Sequence, residues 1–257
     1  MDQLTYEKNY FMNTVQKTIL ILRAFTREEP KLSLTALHKK TGIGLSSLQR
    51  FVATLVYEGF LIKDEKTKQY QLGLSLFYLG KLVEQQSTIL TIATPILEKL
   101  RDRTGESVSL SIMDGNLRRC ILSFESDQPL TARNYVGDTS PLYAGASAKV
   151  LLAFLSPVEI EQYLDSVALE PVTQVVFPKQ EQFLEELRQI RDQGYAKTRG
   201  ERVIGACSVS VPILSSSGRP LASISIVTPD VRFNEENATL YTNFLVDAKR
   251  EIEKQVL

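Results

Sequence analysis

SLTALHKKTGIGLSSLQRFVATLVYEGFLIKDEKTKQYQLG, residues 33–73, is the stretch on which the fold turns. Ser33 suits the N-cap of a short helix through Lys40, and Gly42 ends it, because a residue without Cβ enters the left-handed turn freely. A second helix runs from about Leu45 to Tyr57. It puts Leu48, Phe51, Val52, Leu55 and Val56 on one apolar stripe and Ser46, Ser47, Gln49, Arg50, Ala53 and Thr54 on the other face. Gly59 stops that helix. Phe60–Ile62 and Tyr70–Leu72 then read as short strands around the polar turn 63–69, so the stretch predicts a helix-turn-helix followed by a β wing.

Upstream, residues 14–27 (TVQKTILILRAFTR) space Val15, Ile19, Leu22 and Phe25 as one helical face, with Asn13 or Thr14 as N-cap. Downstream, Leu74 to about Ile89 is an amphipathic segment punctuated only by Gly80, which reads as a connecting helix. The expected organisation is a DNA-binding domain over 1–73, a linker helix over 74–88 and a second domain over 89–257.

That second domain alternates strands and helices. Leu90–Arg103 reads as a helix with Pro95 in or near its first turn, and Val108, Leu110 and Ile112 alternate as a strand up to the Asp114-Gly115 turn. Cys120–Phe124 and Thr131–Val136 are further strand candidates. Ala146–Leu155 is an apolar helix, Ser156-x-x-Glu159 a capping box, and Lys179–Gln193 a helix closed by Gly194. Ser208–Leu214 and Leu221–Thr228 read as strands around residues 215–218, and Asn234 caps a final helix with Glu235 and Glu236 at its positive end. Hairpin connections beside helices predict an α+β fold with a largely antiparallel sheet.

Charge agrees with this division. The chain is neutral over its 257 residues, yet residues 1–88 carry 12 Lys and Arg against 8 Asp and Glu, and residues 89–257 carry 18 against 22. A basic minority segment on a neutral body fits a duplex-binding head. The two cysteines, Cys120 and Cys207, have no CxxC spacing and read as packed small hydrophobes, so no metal site or cofactor is expected. The N-terminus lacks a charged flank before an apolar run, and no membrane-length apolar stretch occurs, which predicts a cytoplasmic protein without a membrane partner.

Within the head, the helix 45–57 offers the chemistry of major-groove reading. Gln49 can pair with adenine, Arg50 with guanine or phosphate, and Ser46 and Ser47 with phosphate or a base edge. Lys63, Lys66 and Lys68 on the wing turn would meet the backbone. An enzymatic alternative fares poorly, because the only histidine, His38, falls in the helix-turn-helix and no GxSxG, P-loop or GxGxxG is present, so no catalytic residue is expected. A protein-interaction adaptor is the other alternative, and the polar face of Ser46, Ser47, Gln49 and Arg50 lacks the apolar anchors it needs.

Leu34–Leu37, Thr41-Gly42-Ile43, Ser46–Phe51, Thr54-Leu55, Gly59-Phe60-Leu61 and Tyr70–Gly73 together resemble the winged helix-turn-helix of the IclR family of bacterial transcriptional regulators. The stretch 141–153 (PLYAGASAKVLLA) resembles that family's effector-domain signature, and Arg199-Gly200-Glu201 to Pro212, then Gly218 to Pro229, its second. The resemblance implies a GAF-like effector-binding domain, operator DNA and a small-molecule effector as partners, and a homodimer or tetramer. It also implies that Tyr143, Ala146, Ser147, Thr198, Ser208 and Ser225 bind the effector, with an acid group on the amides of Ala146 and Ser147 at a helix start. The chain departs from the family pattern at Tyr143 (usually His), at Ala148 (usually Gly), at Val227-Thr228-Pro229 and at Ser208, where Cys207 lies one place off.

Overall fold

The computed structural model describes residues 11–175 and 178–256; the first ten residues, part of the stretch read above for a leader, lie outside them. Contacts divide the chain into a unit ending at Gln86 and a unit beginning at Ser87. All described strand pairs are antiparallel, giving an α+β protein.

In the first unit α1 (Asn13–Arg23), β1 (Leu32–Ser33), α2 (Leu34–Thr41) and α3 (Leu45–Tyr57) precede the hairpin of β2 (Leu61–Lys63) and β3 (Gln69–Leu72) and the helix α4 (Leu74–Gln86). Ser33 caps α2 by accepting the Ala36 N–H at 3.1 Å, and Gly42 leaves it at φ +68°. His38 Nδ1 lies 2.7 Å from the Ile43 carbonyl and fastens the turn between the two helices. Leu37, Ile43, Leu48, Val52, Leu55 and Leu61 close one core with Ile21 and Phe25. The sequence did not announce β1, which joins the wing by pairing Leu32 with Tyr70. At the base of the β2–β3 hairpin Gly73 and Gly59 pass so closely that a Cβ on Gly73 would stand 2.1 Å from the Gly59 oxygen.

Two expectations for this unit need correction. The first helix ends at Arg23 rather than at residue 27, because Thr26 folds the chain back through its bonds with Glu29. Val15 and Ile19, expected on its buried face, are 51% and 43% exposed, and the core begins at Ile21. α4 carries no buried residue and shows Leu74, Phe77, Tyr78, Leu82 and Val83 to solvent.

The second unit opens on α5 (Thr88–Thr104), whose N-cap is Ser87, so the connecting helix expected to about Ile89 ends at Gln86 and the next begins two residues before the expected Leu90. Pro95 therefore sits in the interior of α5, not in its first turn. Six strands follow the order β6-β5-β4-β9-β8-β7: β4 (Ser107–Asp114), β5 (Leu117–Phe124), β6 (Thr139–Pro141), β7 (Ala196–Arg199), β8 (Ala206–Leu214) and β9 (Pro220–Pro229). Helices α6 (Ala146–Ala153), α7 (Pro157–Ser166), α8 (Gln180–Gln193) and α9 (Glu235–Val256) complete the unit. The expected strand Thr131–Val136 does not form. Asp138 accepts the Tyr135 N–H at 2.9 Å and bends the chain, and the pairing strand is β6, beside Leu117–Arg119.

Period-two alternation gives the sheet two different faces. Val108, Leu110, Val209, Val211, Ile213, Ile224 and Ile226 pack with Leu97 and Leu100 of α5 and with Leu245 and Ile252 of α9. The opposite face carries serines in register across strands: Ser109, Ser225 and Ser210 form one row, and Ser107, Val227, Ser208 and Thr198 the next. α6 packs over β8 and β9 and leads into a second apolar cluster with α7 and α8.

Candidate functional site

Leu48, Val52 and Leu55 bury one side of α3, and that anchoring turns Ser46, Ser47, Gln49 and Arg50 outward, all exposed. Ser47 and Arg50 also border a cleft with Thr14 and Thr18 of α1. The wing turn is built by Asp64, whose Oδ1 accepts the N–H groups of Lys66 and Thr67 at 2.9 and 3.1 Å. Those bonds lower its pKa. Lys63 and Lys68, expected to meet the DNA backbone, both pair with Glu65, at 3.0 and 2.9 Å, and hold its pKa below the usual carboxylate range, Lys68 most strongly. The wing is thus less basic than its three lysines suggest. Lys66 keeps an exposed side chain.

The serine face of the second unit meets the start of α6 at a cavity of about 20 Å³, the space of one water or little more. Ala146, Ser147, Thr198, Ser208 and Ser225 all line it. Tyr143 does not: it is buried in the apolar cluster beside Leu142 and Leu152.

Two N–H groups at the helix start are already engaged by the protein's own acceptors. The Gly145 N–H donates to Glu201 Oε2 at 3.0 Å and the Ala146 N–H to Thr198 Oγ1 at 3.1 Å. The expected role of the Ala146 amide as an open anion donor is therefore corrected. Glu201 is held in place by Lys149, which is 2% exposed and bridges it at 2.7 Å and Glu186 at 2.6 Å. Thr198 and Ser208 share a hydrogen bond of 3.0 Å, and Ser210 and Ser225 one of 2.6 Å.

Sequence reasoning passed over several lining residues. Asn134, 2% exposed, gives Nδ2 to Ser109 Oγ at 3.1 Å, while its buried Oδ1 has no partner. Arg202 reaches the cavity from the turn between β7 and β8, against Gly145, whose φ is +88°. Behind it Arg118, fully buried, donates Nε–H to Ser111 at 2.8 Å and leaves Nη2 unpaired. Burial pulls the Arg118 pKa down to about 10, and the charge of Arg202 adds to the effect. The one signal for Arg118 was parity, since it shares the inward side of β5 with Cys120. Nothing local marked Asn134, because its placement depends on the bend at residues 135–138.

The sequence itself matches two known domains. Residues 14–65 match the IclR helix-turn-helix domain, and residues 82–254 match the C-terminal domain of the bacterial transcriptional regulator IclR. The chain belongs to the IclR family. Among its relatives, the HTH-type transcriptional regulator KipR of Bacillus subtilis (strain 168) is 31% identical over 243 residues, spanning 95% of this chain and 96% of that protein. KdgR of Escherichia coli (strain K12) is 30% identical over 245 residues, spanning 95% and 93%. The crystal structure of IclR from Thermotoga maritima superposes with a TM-score of 0.78 at 31% identity, over 95% of this chain and 98% of that one. An IclR homologue from Microbacterium hydrocarbonoxydans, solved with 4-hydroxybenzoate, shares the fold, with a TM-score of 0.82 at 22% identity over 95% and 98%. The protein is a transcriptional regulator with a helix-turn-helix DNA-binding domain and a C-terminal effector domain.

Proposed function

We propose that α3 reads operator DNA in the major groove through Gln49 and Arg50, with Ser46 and Ser47 on phosphate, and that the wing lysines Lys63, Lys66 and Lys68 lie along the backbone. A small organic acid bound in the cavity below α6 sets the operator affinity. The observation that carries this reading is the split α3 surface, buried at Leu48, Val52 and Leu55 and polar where a groove would meet it. The IclR homologue solved with 4-hydroxybenzoate supports an acid as effector. His38 serves the turn of the head through its bond to Ile43, which supports a regulator without enzymatic activity.

One head covers too little groove for high specificity, so the protein acts as a homodimer or a dimer of dimers in the cytoplasm. The exposed apolar face of α4, with Leu74, Phe77, Tyr78, Leu82 and Val83, is the surface a second copy covers. Among the described residues no helix is long and apolar enough to cross a membrane.

The cavity has room for little more than a water, so a metabolite enters only by moving a wall. The segment 200–205 is that wall. It carries Glu201, Arg202 and Val203 and is bounded by Gly200 and Gly205, both at positive φ. A ligand that prefers the opened wall shifts the protein toward that state by its differential binding energy, and operator affinity follows. A thermal-shift screen of carboxylic acids against their neutral amides, with operator binding measured beside it, tests the reading. Acids should raise the melting temperature and change operator affinity together. Equal hits among the amides would contradict it.

A further inference from the structure

Two positions compete for the anionic group of a ligand in this cavity, and they are not equivalent. At the α6 start the Gly145 and Ala146 amides are committed to Glu201 and Thr198, so a ligand carboxylate would find only the Ser147 amide there and would face the charge of Glu201 beside it. Arg202 lines the same cavity, and among the described residues it makes no ion pair; the charge of Asp138 acts on it as it does on Arg118, without pairing with either. Two guanidinium groups line up on that side with no ion pair to either of them among the described residues, and one keeps an unpaired buried Nη2, which leaves a surplus of positive charge there. A carboxylate offers the two-pronged acceptor a guanidinium fits best.

Asn134 supplies an independent requirement. Its side chain is 2% exposed, lines the cavity, and keeps an unpartnered Oδ1. A buried acceptor left unpaired is costly, and a ligand hydroxyl removes that cost. A hydroxyl both donates and accepts, so it satisfies the amide in either orientation of the Asn134 side chain. The hydroxyls of Ser208 and Ser225 on the same wall are already bonded to Thr198 and Ser210, which leaves Asn134 as the polar group asking for a donor.

We infer that the effector is a hydroxy acid, with its carboxylate held by Arg202 and a hydroxyl on Asn134, while Glu201 stays on the amides at the α6 start. This rests on the cavity being the effector site. Entry requires the 200–205 segment to move outward with Arg202 still facing the ligand, so ligand binding and the position of that segment are one event.

The test uses the full-length protein and three matched series: lactate, propionate and lactamide; 3-hydroxybutyrate, butyrate and 3-hydroxybutyramide; 3-hydroxybenzoate, benzoate and 3-hydroxybenzamide. Calorimetric affinity and operator binding are measured for each. Within a series that binds at millimolar concentration, the hydroxy acid should be the tightest. Arg202→Gln should weaken it by about ten- to a hundred-fold, the range for hydrogen bonds to a charged group. Arg202→Lys should recover part of the loss. The margin of hydroxy acid over deoxy acid should vanish in Asn134→Ala; should that variant fail to fold, the wild-type series still decides the hydroxyl.

A deoxy acid that binds as well as its hydroxy partner, an unchanged affinity in Arg202→Gln, or no binding by any hydroxy acid overturns the inference. If deoxy acids bind and change operator affinity, the inference fails while the effector reading stands. If ligands bind with no change at the operator, the effector reading itself fails.

Discussion

Replacing Glu65 with Gln should strengthen DNA binding, although the substitution removes a group that itself touches no DNA in this account. Glu65 pairs with Lys63 at 3.0 Å and Lys68 at 2.9 Å, so its single charge engages two of the three wing lysines. A phosphate must compete with that carboxylate for each lysine. The glutamine keeps the shape and drops the charge. Each lysine released to a phosphate adds about 0.9 to the slope of log K against log salt, so two releases steepen it by up to about 1.8. Because these groups are exposed, the gain is screened and should be largest at low ionic strength. Acid should mimic the substitution. The lysines hold the Glu65 pKa below the usual carboxylate range, so the carboxylate stays ionised at neutral pH and is lost only as pH falls through that lowered value. Fluorescence anisotropy of a labelled duplex, titrated across salt concentrations, reads the slope for both proteins. An unchanged slope in Glu65→Gln would show that the wing lies away from the backbone.

Gly73→Ala should destabilise the first unit, because the new Cβ would stand 2.1 Å from the Gly59 oxygen, backbone that cannot swing aside as a side chain would. Overpacking of this kind costs about 1–3 kcal/mol, which in a unit of this size lowers the melting temperature by roughly 4 °C or more, and an unchanged melt would refute the crossing. Cys207 should resist alkylation in the native state at pH 8, since burial and its bond to Asp230 at 3.2 Å push its thiol up to about 12. Mass spectrometry after iodoacetamide treatment checks this, and rapid native labelling would contradict it.

The head was largely legible in the sequence because its information is local. The α3 stripe, the Ser33 cap and the Gly42 turn each follow from residues within one or two turns of helix, and all appear where expected. α1 misled for the same reason. Its periodicity marks an apolar face, but periodicity does not say whether that face is covered by the same chain, and Val15 and Ile19 are not. In the second unit the alternation of β4, β8 and β9 was readable, and the serine side of that alternation is what Thr198, Ser208 and Ser225 reported. The cavity's charged and amide groups were hidden because they depend on long-range placement. Asn134 is brought in by a bend, Arg202 by a turn between strands, and Glu201 acts on an amide 56 residues away. Tyr143 was carried into the site by its neighbours in sequence, while its side chain packs in an apolar cluster.

The central claim is that α3 reads base sequence, and the most direct measurement compares operator and random duplex binding for Gln49→Ala and Arg50→Ala at one fixed salt concentration. The operator is first recovered by selection from a random duplex pool with the full-length protein. Each substitution should cost about 1–3 kcal/mol on the operator and change random-duplex binding little. Equal losses on both duplexes, or none on either, would contradict base reading by this helix.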